Sequence, residues 1–267
     1  MPKSGQDYVY DSARECERLE RQTALLDPER LLHAVRPAPG ARILDAGSGS
    51  GAVARMIAER HPDTEVVGMD LKPDYVAYAR RFAEARGLAN LSFEEGDVQA
   101  LPFPDASFDR VWSQFVLYFL PCPEAAIAEF RRVLRPGGRV AVALHEGTFM
   151  TLYPESLALQ ARTERVTLGL QDLRIARRLP LMLRAAGFAD TTVEVELDPI
   201  YTAIGPIADG PRRNLVEITD AALPRVTEIL GGRTEAEAYM TDLLAWLDDP
   251  DTCSYSFIWT VSGVVPL

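Results

Sequence analysis

Between residues 42 and 145 short apolar runs alternate with segments of helical spacing. Arg42–Leu44 reads as the end of a buried strand. Val53, Met56 and Ile57 then share one helix face, and Pro62 stops that helix near Arg60. Glu65–Asp70 is a second strand ending in an acid. A helix from Lys72-Pro73 follows, with Val76, Ala79 and Ala83 inward and Gly87 as its C-terminal cap. Leu91–Phe93 and Phe108–Gln114 are the third and fourth strands. Pro123 opens a helix with Ile127, Phe130 and Leu134 inward, and Pro136-Gly137-Gly138 turns into a fifth strand, Arg139–Leu144. This alternation predicts a parallel sheet with helices on both faces.

The flanks are more helical. Ser12 and Glu15 have capping-box spacing, so a helix is predicted from Ser12 to about Leu26. Asp27-Pro28 caps a second helix with Leu31, Leu32 and Val35 inward, ended by Pro37, Pro39 and Gly40. Leu173–Ala186 is helical with a break at Pro180, and Gly187 ends it. Thr192–Leu197 and Tyr255–Val261 both alternate as strands and are expected to pair. Thr234-x-x-Glu237 caps a helix that ends before Pro250. The predicted fold is therefore α/β: a doubly wound, mostly parallel seven-stranded sheet with helices on both faces.

The chain has 267 residues, 47% of them hydrophobic, enough for a sizeable core. It shows no apolar run of membrane-spanning length, and Met1–Gln6 has no signal-peptide core. Cys16, Cys122 and Cys253 are scattered, which fits a reducing cytoplasm and no zinc or other metal cluster. A net charge of −11 argues against a nucleic-acid partner. Arg131, Arg132 and Arg135 read as a solvated helix face. The expectation is a cytoplasmic protein with a small-molecule partner, no membrane partner, and a homodimer left open.

The chemistry centres on Asp45-Ala46-Gly47-Ser48-Gly49-Ser50-Gly51, a glycine-rich turn between strand and helix. In an open α/β sheet that turn lies where nucleotide-like ligands bind. Asp70, about twenty residues later, can accept both hydroxyls of a ribose, or serve as a helix N-cap. Asp97-Val98 can pair with an adenine amino group and ring nitrogen, or form a turn. Asp45 suits a cationic ligand better than a diphosphate. The pattern Gly47-x-Gly49-x-x-Ala52 also fits a dinucleotide-binding dehydrogenase, against which Asp45 and Asp97-Val98 stand. A non-catalytic cofactor-binding module is the third reading.

These residues, with Gly68-Met69-Asp70, Gly96-Asp97-Val98, the run Leu101–Asp109 and the turn Leu134-Arg135-Pro136-Gly137-Gly138, resemble the class I S-adenosylmethionine-dependent methyltransferases, in their small-molecule, quinone and natural-product branch. The resemblance covers roughly residues 40 to 145. It implies that Asp45, Gly47, Ser48, Gly49 and Gly51 border the methionine part of S-adenosylmethionine and that Gln114 lies near it. It also implies that Asp70, with Leu71 beside it, holds the ribose, and that Asp97 and Val98 hold the adenine. Lids in this family come from N-terminal helices and from late insertions. Residues 1–36 are thus expected to form a helical lid and 37–148 the cofactor-binding core. Residues 149–267 would complete the core, with helical caps around 149–171 and 199–250.

Methyl transfer is an in-line displacement, so the enzyme mainly supplies alignment and a dry site. A hydroxyl acceptor also needs a base. His145, directly after the fifth strand, is the candidate, either as base or as a pocket residue. Tyr10, Tyr118 and Phe149 are candidate acceptor contacts, with Met150, Leu152 and Tyr153 extending an apolar wall. The sequence does not distinguish O-, N- and C-methylation.

Overall fold

Helix α1 (Glu15–Ala24) comes first in the computed structural model, which describes residues 14–147 and 150–267. The expected start at Ser12, and the candidates Tyr10 and Phe149, lie outside the described residues. Helix α2 (Pro28–Val35) follows, with the Asp27 carboxylate accepting from the Glu29 N–H at 2.9 Å, as an N-cap should. The αβ alternation then runs β1 (Arg42–Ala46), α3 (Ala52–Arg60), β2 (Glu65–Asp70), α4 (Pro73–Ala85), β3 (Leu91–Glu95), β4 (Phe108–Gln114), a 3-10 turn (Leu117–Phe119), α5 (Pro123–Val133) and β5 (Leu134–His145). Helices α2, α4 and α5 start on proline, whose missing N–H a helix start leaves unbonded anyway.

Beyond β5 come β6 (Thr151–Tyr153), α6 (Leu157–Leu170), α7 (Ile175–Ala185), β7 (Ala189–Leu197), β8 (Ala203–Ile204), α8 (Asp209–Leu230), α9 (Arg233–Leu247), β9 (Cys253–Tyr255) and β10 (Phe257–Val264). The main sheet has seven strands in the order β3-β2-β1-β4-β5-β10-β7, parallel except for β10, which is antiparallel to both neighbours. The pairing expected between the two late strands is present, with Phe257 opposite Leu197 and Trp259 opposite Val195.

Successive residues of the central strands feed opposite cores. Leu44 and Val67 pack with Phe130 and Leu179 on one side; Ile43 and Val66 pack with Ile57 and Val76 on the other. That is why these strands read as unbroken apolar runs. A third core belongs to the cap, where Leu159, Val166, Leu215, Val226, Leu243 and Leu247 meet between α6, α8 and α9.

Several expectations are corrected. Pro180 sits inside a continuous α7, which the buried Leu179 and Leu183 hold against the core at the cost of one helix hydrogen bond. Thr234 does not cap α9: Gly232 occupies the N-cap without a side-chain bond, and Glu237 instead accepts from Arg233 Nε at 2.7 Å. The Pro136–Gly138 turn lies within β5, which starts at Leu134 and slips register against β4, with Gly137 at φ +76°. Tyr255 belongs to β9 of a separate three-stranded sheet, β6-β9-β8, so the 149–171 region opens with a strand. Among the described residues no helix is long and apolar enough to cross a membrane.

Candidate active site

From β1 the chain winds outward through β2 and β3, then returns to the other side of β1 for β4. Such a switch leaves a crevice at the carboxyl ends of β1 and β4. The glycine turn occupies it. Gly47 has φ +81°, and a Cβ there would lie 2.4 Å from Val116 Cγ2. At Gly51, φ +76°, a Cβ would lie 2.5 Å from the Phe93 ring. Only glycine meets both demands. The N–H groups of Gly47 and Ser48 donate to the Met69 carbonyl, both at 2.8 Å, and Ser113 Oγ donates to the Ala46 carbonyl at 2.9 Å. The turn is thereby tied to β2 and β4.

Asp70 Oδ2 accepts from the Gly49 N–H at 2.8 Å and Oδ1 from the Lys72 N–H at 3.0 Å. Asp70 does not cap α4, whose N-cap is Lys72 without a side-chain bond. Its carboxylate instead ties the glycine turn to the start of that helix, and a carboxylate offers about four acceptor sites, so ribose hydroxyls can share it. Asp97 Oδ1 likewise accepts from the Gln99 N–H at 2.8 Å, beside the buried Val98.

Asp45 is buried. Burial first, then the neighbouring Asp70, push its carboxyl up to about 7, against the opposing N–H of Ala54. Burial also raises Asp70, opposed by the N–H groups of Lys72, Gly49 and Leu71 and by the Lys72 charge. Asp45 Oδ2 and Ser48 Oγ have no hydrogen-bond partner among the described residues. Two acids raised by burial at the ends of the adjacent strands β1 and β2, one with an oxygen left over, fit an ammonium or sulfonium group. They oppose a diphosphate.

Asp45, Gly47, Ser48, Gly49, Asp70, Leu71, Asp97, Val98, Gln114, Tyr118 and His145 all line one cavity of about 270 Å³. Gly51 does not; it starts α3 and packs on Phe93 and Ala79. Of the expected apolar wall, Met150 lines the cavity, whereas Leu152 is buried in the cap core and Tyr153 is 62% exposed. Beyond the glycine turn the walls come from α1, α6, α8 and α9. They are mostly apolar, including Leu170, Leu215, Ile218, Val226 and Leu243.

In the same cavity, at the end of β5, His145 Nε2 lies 2.8 Å from Asp198 Oδ2, and both residues are buried. Asp198 Oδ1 accepts from the Ile200 N–H at 2.8 Å. The imidazole stacks on Phe115 with ring centroids 4.3 Å apart, and Tyr201 stands 6.1 Å from it. Sequence reasoning missed Asp198, Tyr201, Arg18 and Gln22. For Asp198 a signal existed: it directly follows a strand predicted to pair with the one beside His145. Arg18 and Gln22 sit within helix α1, and Tyr201 in the turn between β7 and β8, with no motif to mark them.

The model of a family described as "Methyltransferase domain" matches residues 43–138. Demethylmenaquinone methyltransferase of Thermus thermophilus is 50% identical over 101 residues, 38% of this chain and 46% of that one. The chain thus spans about half that relative's length. Aklanonic acid methyltransferase DauC of a Streptomyces species is 34% identical over 171 residues, 62% of this chain and 78% of that one. A solved phosphoethanolamine N-methyltransferase 2 of Haemonchus contortus, in complex with S-adenosyl-L-methionine, superposes with a TM-score of 0.62. It is 18% identical and covers 99% of this chain and 60% of that one, a likeness of fold. With a relative matched over most of its length and the site residues in one cavity, the chain belongs to the class I S-adenosylmethionine-dependent methyltransferases.

Proposed function

We propose that this chain methylates an ionisable hydroxyl of a small, largely apolar organic acceptor. The observation that carries the reading is one cavity lined both by the buried acids Asp45 and Asp70 and by His145 of a buried histidine–carboxylate pair. S-adenosylmethionine, when bound, supplies a methyl group on a cationic sulfur. Asp45 and the glycine turn would hold its amino acid part, Asp70 the ribose, and Asp97 with Val98 the adenine. Gln114, at the end of β4, would border the same region.

The acceptor end removes a proton. A carboxylate only accepts hydrogen bonds, so Asp198 fixes the His145 proton on Nε2 and leaves the lone pair on Nδ1. His145 would take the acceptor's proton at Nδ1, with its ring plane held by Phe115. Tyr118 and the cap helices would exclude water and fix the acceptor's orientation. Residues 1–36 would close the cavity as a lid, and the segments around 149–171 and 199–250 would shape the acceptor pocket.

Apolar walls and relatives named for a quinone and a polyketide-type acid favour a flat organic acceptor. Incubation with S-adenosylmethionine carrying an isotopic methyl label and a panel of phenols, hydroxyquinones, enols and amines tests this. Label should appear on oxygen of an ionisable hydroxyl. Label only on amines would overturn the hydroxyl assignment.

A further inference from the structure

We propose that Arg18 and Asn214 are positioning residues that couple the cofactor-binding turn to the acceptor end through helix α1. The proposal rests on the functional reading above, because it assigns the two ends of the cavity to cofactor and acceptor.

Helix α1 touches both ends within three consecutive residues. On one side Leu19 lies against the glycine turn, where a Cβ on Gly49 would come within 3.0 Å of Leu19 Cδ1. Glu20 pairs with the buried Arg55, whose Nη1 donates to the Ser50 carbonyl at 2.7 Å. On the other side Arg18 Nη1 donates to Asn214 Oδ1 of α8 at 2.8 Å, and Asn214 Nδ2 donates to the Tyr201 hydroxyl at 2.6 Å. Tyr201 stands beside His145. Residues 18, 19 and 20 span about 200° of helix circumference, so one turn of helix faces both ends.

The bridge is built for geometry. Glu15 and Arg18 are 1% and 5% exposed and share two bonds, 2.8 Å from Nε and 2.6 Å from Nη2. Gln22 also accepts from Arg18. A buried ion pair adds little net stability, yet it tolerates few arrangements. The guanidinium fixes the Asn214 amide with its oxygen toward the cation and its nitrogen toward the phenol. Tyr201 is thereby held in place by α1, and α1 in turn rests on the cofactor-binding turn. A ligand that settles the glycine turn should therefore settle α8 and the wall beside His145.

Hydrogen exchange of the full chain with and without S-adenosylhomocysteine tests this without an acceptor. In the wild type the ligand should slow exchange at least about fivefold in residues 42–54 and also in residues 199–202 and 209–222. Asn214→Leu should keep the slowing in 42–54, with a Kd within about threefold of wild type, and lose it in 199–222. Asn214→Asp should keep both, because a carboxylate can accept from Arg18 and from the Tyr201 O–H. A role confined to stability would let ligand-dependent slowing survive in Asn214→Leu. That result overturns the proposal, as does a wild type that is protected at 42–54 but unchanged at 199–222. If S-adenosylhomocysteine does not bind at all, the functional reading fails and the proposal with it.

Discussion

The two ends of the cavity are built from different material. At the end we assign to the cofactor the surface is main chain held in fixed turns: Gly47 and Ser48 bonded to Met69, Gly49 bonded to Asp70, and one acid from the end of each of β1 and β2. At the acceptor end it is side chains from four helices, with the His145–Asp198 pair set into an apolar wall. Main-chain geometry of the first kind demands particular residues, since left-handed backbone and close contact admit only glycine. An apolar wall demands only volume and hydrophobicity, which many side chains supply. On the proposed assignment the first end is constrained to one ligand, and the second is free to vary with the acceptor.

Substitutions should separate the two. The largest effect is expected at His145. His145→Ala should lower turnover about 10²–10⁴-fold at saturating acceptor while the affinity for S-adenosylhomocysteine moves by less than about twofold. Turnover above about a tenth of wild type would mean that the acceptor needs no base. Asp198→Asn should cost a comparable or smaller factor, because an amide can donate to Nε2 and shift the proton to Nδ1. Unchanged turnover would remove Asp198 from the dyad.

At the other end Asp70→Ala should weaken S-adenosylmethionine binding by at least about tenfold, since charge-assisted bonds contribute about 1.5–3 kcal/mol each. Calorimetry on the folded variant measures it, and an unchanged Kd would take Asp70 out of the site. The smallest effect is expected in the cap. Ile218→Ala removes apolar contact worth about 0.8 kcal/mol per methylene. The acceptor KM should rise about three- to tenfold, with cofactor affinity constant. A matched loss of cofactor affinity would erase the division between the ends.

The same contrast explains what could be read from the sequence. The spacing of Gly47, Gly49, Asp70 and Asp97 marks three strand ends, and all four residues line the cavity. Strand–helix alternation marked a parallel sheet with helices on both faces, because the central strands are buried on both faces; the order of the strands comes from the structure. Local signals failed where tertiary packing overrode them. Pro180 was expected to break a helix that buried leucines hold together, and Thr234 was expected to cap a helix that starts on Gly232 without a side-chain bond. Alternation ran Tyr255 into β10, but the chain changes sheets at Ser256, which pairs in neither. Arg18 and Asn214, 196 residues apart, leave no local mark of their contact.

The central claim is that the glycine turn is a cation site within a methyltransferase fold, and Asp45 is its most direct probe. Its folded carboxyl is raised to about 7. In the free protein that shift favours folding below the ordinary carboxylate value, and the advantage is lost as pH rises through about 7. A bound ammonium group reverses the preference, so binding must expel the proton. Calorimetric titration with S-adenosylhomocysteine should therefore show one site, with affinity about tenfold higher at pH 8 than at pH 6 and with proton release near neutrality. In Asp45→Asn this pH dependence should vanish. Affinity independent of pH in the wild type, or stronger binding of NAD than of S-adenosylhomocysteine, would contradict the account.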